Sequence, residues 1–349
     1  MALEVEIVIP GDHALHRPHD DHPESPERID MALRGIRSVG ISARVVEPAE
    51  RSKEILYWIH DPEYVELVER LSRSRRYIDS DTYLTQHSFR VALRAASGSM
   101  DAAEKILYGS RLGITFPRPP GHHAGRAGRA MGAPTQGFCL FNNAALASLR
   151  LVEAGYSPVA VIDIDIHHGN GTQEIFWRDP RVIHVDLHDS AIYPGTGWHL
   201  DVGSGEGVGT KINIPLIPGS RDPEYIYSWI EVVEPVLWYF KPRALIISAG
   251  FDAHEGETMG YVKLSTQLYR WLGNRIWDLS KRIPSIAGIV FILEGGYGPG
   301  LYKGLPEFML GLLGREAPEL GVEASRARRE HIDIINSLKR VVNAYHRIF

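Results

Sequence analysis

The chain has 349 residues, 44% of them hydrophobic and 23% charged, with a formal net charge of −5. That length supports a large core, and the balance argues against nucleic acid as a partner and against a like-charged interaction tail. The single cysteine, Cys139, excludes an intrachain disulfide framework and a cysteine-based zinc cluster. No apolar run approaches the roughly 20 residues of a membrane span. The start MALEVEIVIP lacks the basic segment and cleavage site of a signal peptide, so a cytoplasmic protein is expected.

Taken in chain order, strand-length apolar runs fall at Val5–Ile9, Gly113–Phe116, Val159–Asp163, Val182–Leu187, Ile212–Leu216, Ala244–Ser248 and Ile289–Leu293. Helical patterns fall at Thr85–Leu107, Asn142–Glu153, Pro223–Tyr239 and Leu264–Leu279. Strand and helix alternating in this way predict an α/β domain with a mostly parallel sheet and helices on both faces. Continuous Val, Ile and Leu runs suit buried parallel strands. No linker or repeat divides residues 1–349, so a single domain is expected.

Ligand sites in such sheets gather beyond the carboxyl ends of the strands. Four predicted strand ends carry reactive side chains. His122 and His123 follow Phe116, Asp165 and His167 follow Asp163, Asp252 follows Ser248, and Tyr297 follows Leu293. In IDIDIHHGNG, read as extended chain, Asp163, Asp165 and His167 share one face while Ile162, Ile164 and Ile166 share the other. Two carboxylates and an imidazole suit a water-activating zinc site, and buried carboxylates without a purpose are costly.

The motifs RPPGHHA (118–124), GFC (137–139), DIDIHHGNGTQ (163–173), SAGFDAHEG (248–256) and LEGGY (293–297) resemble those of the metal-dependent histone deacetylase family. HPESPERI (22–29) and GSGEGVGTKINIPL (203–216) resemble loops of the same family, and the likeness spans roughly residues 10–310. The family's relatives include acetylpolyamine amidohydrolases and acetoin-utilisation proteins, and GNGTQ, SAGFD and LEGGY look closer to class II deacetylases and their prokaryotic relatives than to class I. The resemblance implies a three-layer arginase–deacetylase fold and hydrolysis of an acetyl-amide.

Residue by residue, it implies one catalytic Zn2+ on Asp165, His167 and Asp252, leaving a coordination position free for the reaction. His122 and His123 resemble the family's proton-handling pair, with Asp163 behind His122 and Asn170 behind His123. Asn170 is neutral, which suits His123 as base, and anionic Asp163 suits a cationic His122. Tyr297 resembles the oxyanion donor. Gly137, Phe138 and Tyr193 resemble the substrate tunnel, with the Tyr193 hydroxyl expected at its mouth. Asp81 resembles a rim carboxylate, and Arg28 an arginine lining an internal exit channel. A structural K+ or Na+ is implied near Asp163, on backbone carbonyls of the 163–167 turn and of Leu187. The residue beside that leucine, Asp186, stands where Ser is more usual.

Other features read as structural. His13, His16, His19 and His22 recur every third residue, but Gly11, Pro18 and Pro23 oppose a helix that would gather them. The glycines at 203–209 precede a strand, KINIPLI, and not a helix, which argues against a phosphate loop. His168, His254 and Cys139 read as packed or flanking side chains. Three functions compete. A zinc deacetylase is the first; the second is a binuclear manganese ureohydrolase, opposed by Gly169 where a bridging carboxylate would stand. The third is a non-catalytic acyl-binding module, opposed by the intact proton-handling set. The expected partner is an acetylated protein or a small acetylated amine, with longer acyl groups as an alternative. Arg126 and Arg129, in the 125–136 loop, are expected to form a cationic rim that disfavours free polyamines.

Overall fold

The computed structural model describes residues 3–74, 77–320 and 324–349. Strand β1 (Leu3–Val8) leads to α1 (Glu27–Ser38), β2 (Ile41–Val46), α2 (Pro62–Ser74), α3 (Ser88–Leu107) and β3 (Leu112–Thr115). A short hairpin, β4 (Ala124–Gly125) and β5 (Gly128–Arg129), precedes α4 (Asn143–Glu153), β6 (Val159–Asp163) and α5 (Asn170–Ile175). Then come β7 (Val182–Asp189), β8 (Lys211–Leu216), α6 (Asp222–Ser228), α7 (Glu234–Phe240) and β9 (Ala244–Ala249). The chain ends with α8 (Thr266–Arg282), β10 (Ile289–Leu293), α9 (Leu305–Leu312) and α10 (Arg329–Asn343).

Eight strands form one sheet in the order β2-β1-β3-β10-β9-β6-β7-β8, and every pairing in it is parallel. Successive strand residues face opposite layers, as the pleat requires. Ala160, Ile162, Leu245 and Ile247 pack with Ile29, Tyr225, Leu268, Leu305 and Ile335 from α1, α6, α8, α9 and α10. Val159, Val161, Ala244 and Ile246 pack on the opposite face with Val65, Ala96 and Leu146 from α2, α3 and α4. This is the three-layer α/β arrangement expected from the alternation of strand and helix. No helix among the described residues is long and apolar enough to cross a membrane.

Three readings of the sequence change. Strand β2 was not expected: it is an edge strand, its pairing supplied by β1, and only Ile41 of it is buried. The predicted helix Pro223–Tyr239 is divided into α6 and α7 by a wide π turn at Trp229–Val233. Pro235 has no N–H to return to the preceding turn, so the regular ladder cannot run through it. The extended reading of 162–167 holds only to Asp163, where β6 ends. Asp163 Oδ1 accepts from the Asp165 N–H (3.1 Å) and Asp165 Oδ1 from the His167 N–H (2.9 Å). Each carboxylate bonds the backbone two residues on and turns the chain. Ile164 and Ile166 stay buried all the same.

Candidate active site

The carboxyl ends of β6, β9 and β10 lie side by side in the sheet, which brings Asp165, His167, Asp252 and Tyr297 to one place. His167 Nδ1 stands 2.9 Å from Asp165 Oδ1 and 3.2 Å from Asp252 Oδ2. Donor atoms of these three buried residues all lie within 4.8 Å of one another. Their remaining oxygens are held by backbone: Gly295 N–H donates to Asp165 Oδ2 (2.8 Å) and Ile166 N–H to Asp252 Oδ1 (3.0 Å). Asp252 Oδ2 is buried with no hydrogen-bond partner among the described residues. A Cβ at Gly250 or Gly295 would collide with a carboxylate oxygen of this cluster. An oriented imidazole, two oriented carboxylates and a lone pair without a donor fit a divalent ion with nitrogen and oxygen ligands.

Beside the cluster, the rings of His122 and His123 lie 4.0 Å apart. His122 Nδ1 faces Asp163 Oδ2 at 3.0 Å, and its Nε2 lies 3.8 Å from Asp165 Oδ1. Burial works against a charge on His122, but Asp163 and Asp165 outweigh it and hold the imidazole well above its ordinary pKa. Burial pushes the Asp163 carboxyl up to about 8, against the pull of His122, so the pair retains a proton through neutral pH. His123 goes the other way. Burial, then the neighbouring His122 and His167, hold it well below 6.5. Its Nδ1 meets Asn170 Oδ1 at 2.7 Å. The Asn170 amide is itself oriented, since Nδ2 donates to the Ala130 carbonyl (2.9 Å).

These groups open into a cavity of about 280 Å³ lined by Asp81, Pro120, His122, His123, Gly137, Phe138, His167, Ile192, Tyr193, Met259, Gly295 and Tyr297. Gly137 has φ +52, and a Cβ there would meet the His123 ring at 2.5 Å, so only glycine passes this wall. The Phe138 and Tyr297 rings meet edge to face at 5.9 Å, and Tyr193 stands edge-on to His123 at 4.9 Å. No hydrogen bond to the Tyr297 hydroxyl is found among the described residues. Burial holds that phenol well above its ordinary pKa, so it remains a donor.

One expectation about the rim, the cationic loop, is corrected. At 2.9 Å the Tyr193 hydroxyl donates to the carbonyl of Thr135, the residue whose own hydroxyl bonds Asp81. Arg28 is buried behind the tyrosine loop. Its guanidinium stacks on Tyr297 (4.8 Å to the ring centre) and donates to the carbonyls of Gly296 and Glu294. Arg126 faces a separate cleft of about 880 Å³ with Glu174 and Trp177, and Arg129 bonds the Pro134 carbonyl at 3.3 Å. Neither arginine lines the tunnel, so the cationic rim is absent there. Asp81 is in place at the rim, half-buried, with Oδ2 accepting from Thr135 Oγ1 (2.6 Å).

The sequence reading missed the supports. Glu294 Oε2 accepts from the Gly121 and His122 N–H groups (2.8 and 3.3 Å) and so fixes the histidine pair. Glu257 Oε1 accepts from the N–H groups of Tyr297, Gly298 and Gly300 (3.3, 2.7 and 2.9 Å) and fixes the tyrosine loop. Glu294 had a signal, a carboxylate directly at a buried strand end; Glu257, Met259 and Ile192 had none. The structural readings stand for His168, which bonds Thr196 and Gln173, and for His254, which bonds Thr266. Cys139 is fully buried.

Residues 22–309 match the family model for the histone deacetylase domain. The uncharacterized protein MJ0535 of Methanocaldococcus jannaschii is 39% identical over 96% of this chain and 95% of its own length. A probable deacetylase of Archaeoglobus fulgidus is 36% identical over 88% of this chain and 84% of its own. The solved structure of the HDA15 HD domain superposes with a TM-score of 0.86 at 32% identity, over 99% of this chain and 96% of that one. The fold is therefore that of the histone deacetylases, and this chain belongs to the histone deacetylase family.

Proposed function

We propose that this protein is a zinc-dependent amidohydrolase that removes the acetyl group from acetyl-lysine or a related acetylated amine in the cytoplasm. One observation carries the reading. The donor atoms of Asp165, His167 and Asp252 converge within 4.8 Å at a cavity that also presents His123 and Tyr297. A zinc ion on those three residues would polarise the amide carbonyl and acidify the attacking water.

The protein's own groups do the rest. The Ala130 carbonyl takes the Asn170 amide hydrogens, so Asn170 Oδ1 must face His123 and accept its Nδ1 hydrogen. His123 Nε2 then keeps a free lone pair and takes the proton from water. The same nitrogen returns that proton to the departing amine. His122, charged beside Asp163, steadies the negative charge that develops on the carbonyl oxygen, and the Tyr297 hydroxyl donates to that oxygen. Gly137, Phe138 and Tyr193 hold the methylene stem.

A second reading, hydrolysis of acetylpolyamines, is favoured by the rim as observed. Asp81 brings a carboxylate to the cavity, and the arginines of the 125–136 loop lie elsewhere. A turnover screen of the zinc-loaded protein against acetyl-lysine peptides, acetylpolyamines and longer acyl-lysines tests both. Turnover of none of them would overturn the assignment. For the ligands, Asp252→Ala should lose activity and one equivalent of zinc relative to the wild type while the fold survives; an unchanged zinc content in that variant would rule out the ligand set.

A further inference from the structure

We propose that Asp163, His184 and Asp186 form a second metal site, one that takes a divalent transition-metal ion inside the sheet. Asp163 of β6 and Asp186 of β7 are direct partners in the parallel register. Both side chains are fully buried. Like charges directly opposite one another weaken a sheet, and buried carboxylates demand compensation. His184, two residues before Asp186 on β7, projects from the same face of the strand. It too is fully buried, and neither of its ring nitrogens has a hydrogen-bond partner among the described residues.

The geometry is that of ligands around an ion. His184 Nε2 lies 3.5 Å from Asp186 Oδ2, too long for a good hydrogen bond. Two donors each about 2.1 Å from a tetrahedral ion are separated by roughly 3.4 Å. Donor atoms of all three residues lie within 4.8 Å of one another. Both carboxylates are oriented from behind, as ligating groups commonly are. Gly169 N–H donates to Asp186 Oδ2 (2.8 Å), His188 Nδ1 meets Asp186 Oδ1 (2.7 Å), and Asp165 N–H donates to Asp163 Oδ1 (3.1 Å). Each carboxylate still has lone pairs to give. Gly169 keeps the space between them open: a Cβ there would stand 2.5 Å from Asp163 Oδ2 and 3.1 Å from Asp186 Oδ2.

The structural alkali cation implied by the family resemblance is expected on backbone carbonyls of the 163–167 turn and of Leu187, which are neutral oxygens. The side-chain set here, two carboxylates and an imidazole, is not an alkali donor set. Two carboxylates balance a divalent charge, and imidazole selects zinc and its transition-metal neighbours over alkali and alkaline-earth ions.

The test is metal stoichiometry. The full chain is stripped with chelator, re-equilibrated with Zn2+ by dialysis in buffer containing K+, and assayed by elemental analysis. Two equivalents are expected in the wild type and one in His184→Leu, which retains only the Asp165–His167–Asp252 ion. One equivalent is also expected in Asp252→Ala, which retains only the β6–β7 ion, and none in the double variant. If His184→Leu does not fold, Asp186→Ser, which restores a neutral oxygen, should also bind one equivalent. A single equivalent in the wild type that is lost in Asp252→Ala would overturn the second site and leave the catalytic ligands standing. Two equivalents in the wild type and in both His184→Leu and Asp186→Ser would likewise overturn it.

Discussion

His122 and His123 are adjacent in the chain and opposite in charge preference because their Nδ1 partners differ: a carboxylate for one, an amide oxygen for the other. His123 is held below 6.5 by burial and then by the neighbouring His122 and His167, so its base form persists into mildly acidic solution. Asn170→Asp places a carboxylate on His123 and raises its pKa. The acid limb of the kcat/KM profile should then move to higher pH, a shift read directly from initial rates across pH 5–8; an unmoved limb would show that another group governs it. His123→Ala should lower kcat about 10²–10⁴-fold, the usual contribution of a general acid–base group, with zinc content unchanged. Near-normal turnover in that variant with a dead His122→Ala would reverse the two roles. For Tyr297→Phe, a loss of about 10²–10³-fold in kcat is expected with zinc and inhibitor binding kept, since one oxyanion donor is removed. Unchanged turnover there would return Tyr297 to a purely packing role.

The 125–136 loop connects both sides of the tunnel. Its Ala130 carbonyl orients Asn170, its Thr135 carbonyl accepts from the Tyr193 hydroxyl, and its Thr135 hydroxyl donates to Asp81. One loop therefore sets a histidine tautomer, a tunnel wall and a rim carboxylate. Tyr193→Phe keeps the ring and removes one neutral hydrogen bond, about 1 kcal/mol. With acetyl-lysine peptides this should raise KM roughly fivefold and leave kcat within a factor of two, because the wall holds the stem and not the reacting bond. An equal fall in kcat and kcat/KM would mean that the wall acts in the transition state.

Across the whole molecule, several buried histidines are held neutral. Burial lowers His16 to about 3 and His60 and His331 to about 4. His60 shows why: its Nδ1 meets the Gly125 carbonyl (2.8 Å) while its Nε2 accepts from Asn142 N–H (3.0 Å), a pair of bonds that only the neutral ring makes. Their folded pKa values lie below the unfolded value near 6.5, so the unfolded chain binds more protons as pH falls. Stability is fully present above pH 6.5 and is lost as pH drops toward 4. Three such groups together cost about 3–4 kcal/mol between pH 6 and 5. The melting temperature should fall steeply in that interval, ahead of most carboxylate titration; a flat profile would contradict neutral burial.

The sequence by itself determined the parallel α/β layering and which polar side chains stand at the strand ends. Both are local properties. Strand runs such as Val159–Asp163 advertise burial through uninterrupted apolar residues, and polar residues at strand ends advertise a crevice. The edge strand β2 escaped because, with only Ile41 buried, it has no apolar run and exists through pairing with β1. Only the tertiary structure decided where the arginines of the 125–136 loop point, where the Tyr193 hydroxyl goes, and that Glu294 and Glu257 brace the site. The outcomes for Tyr193, Glu294 and Glu257 depend on contacts across 40 to 173 residues of chain, which no local pattern encodes. The pairing of Asp163 with Asp186 is of the same kind. Each aspartate is visible in the sequence, but their opposition across two strands is a matter of register, fixed by how the buried faces of β6 and β7 align.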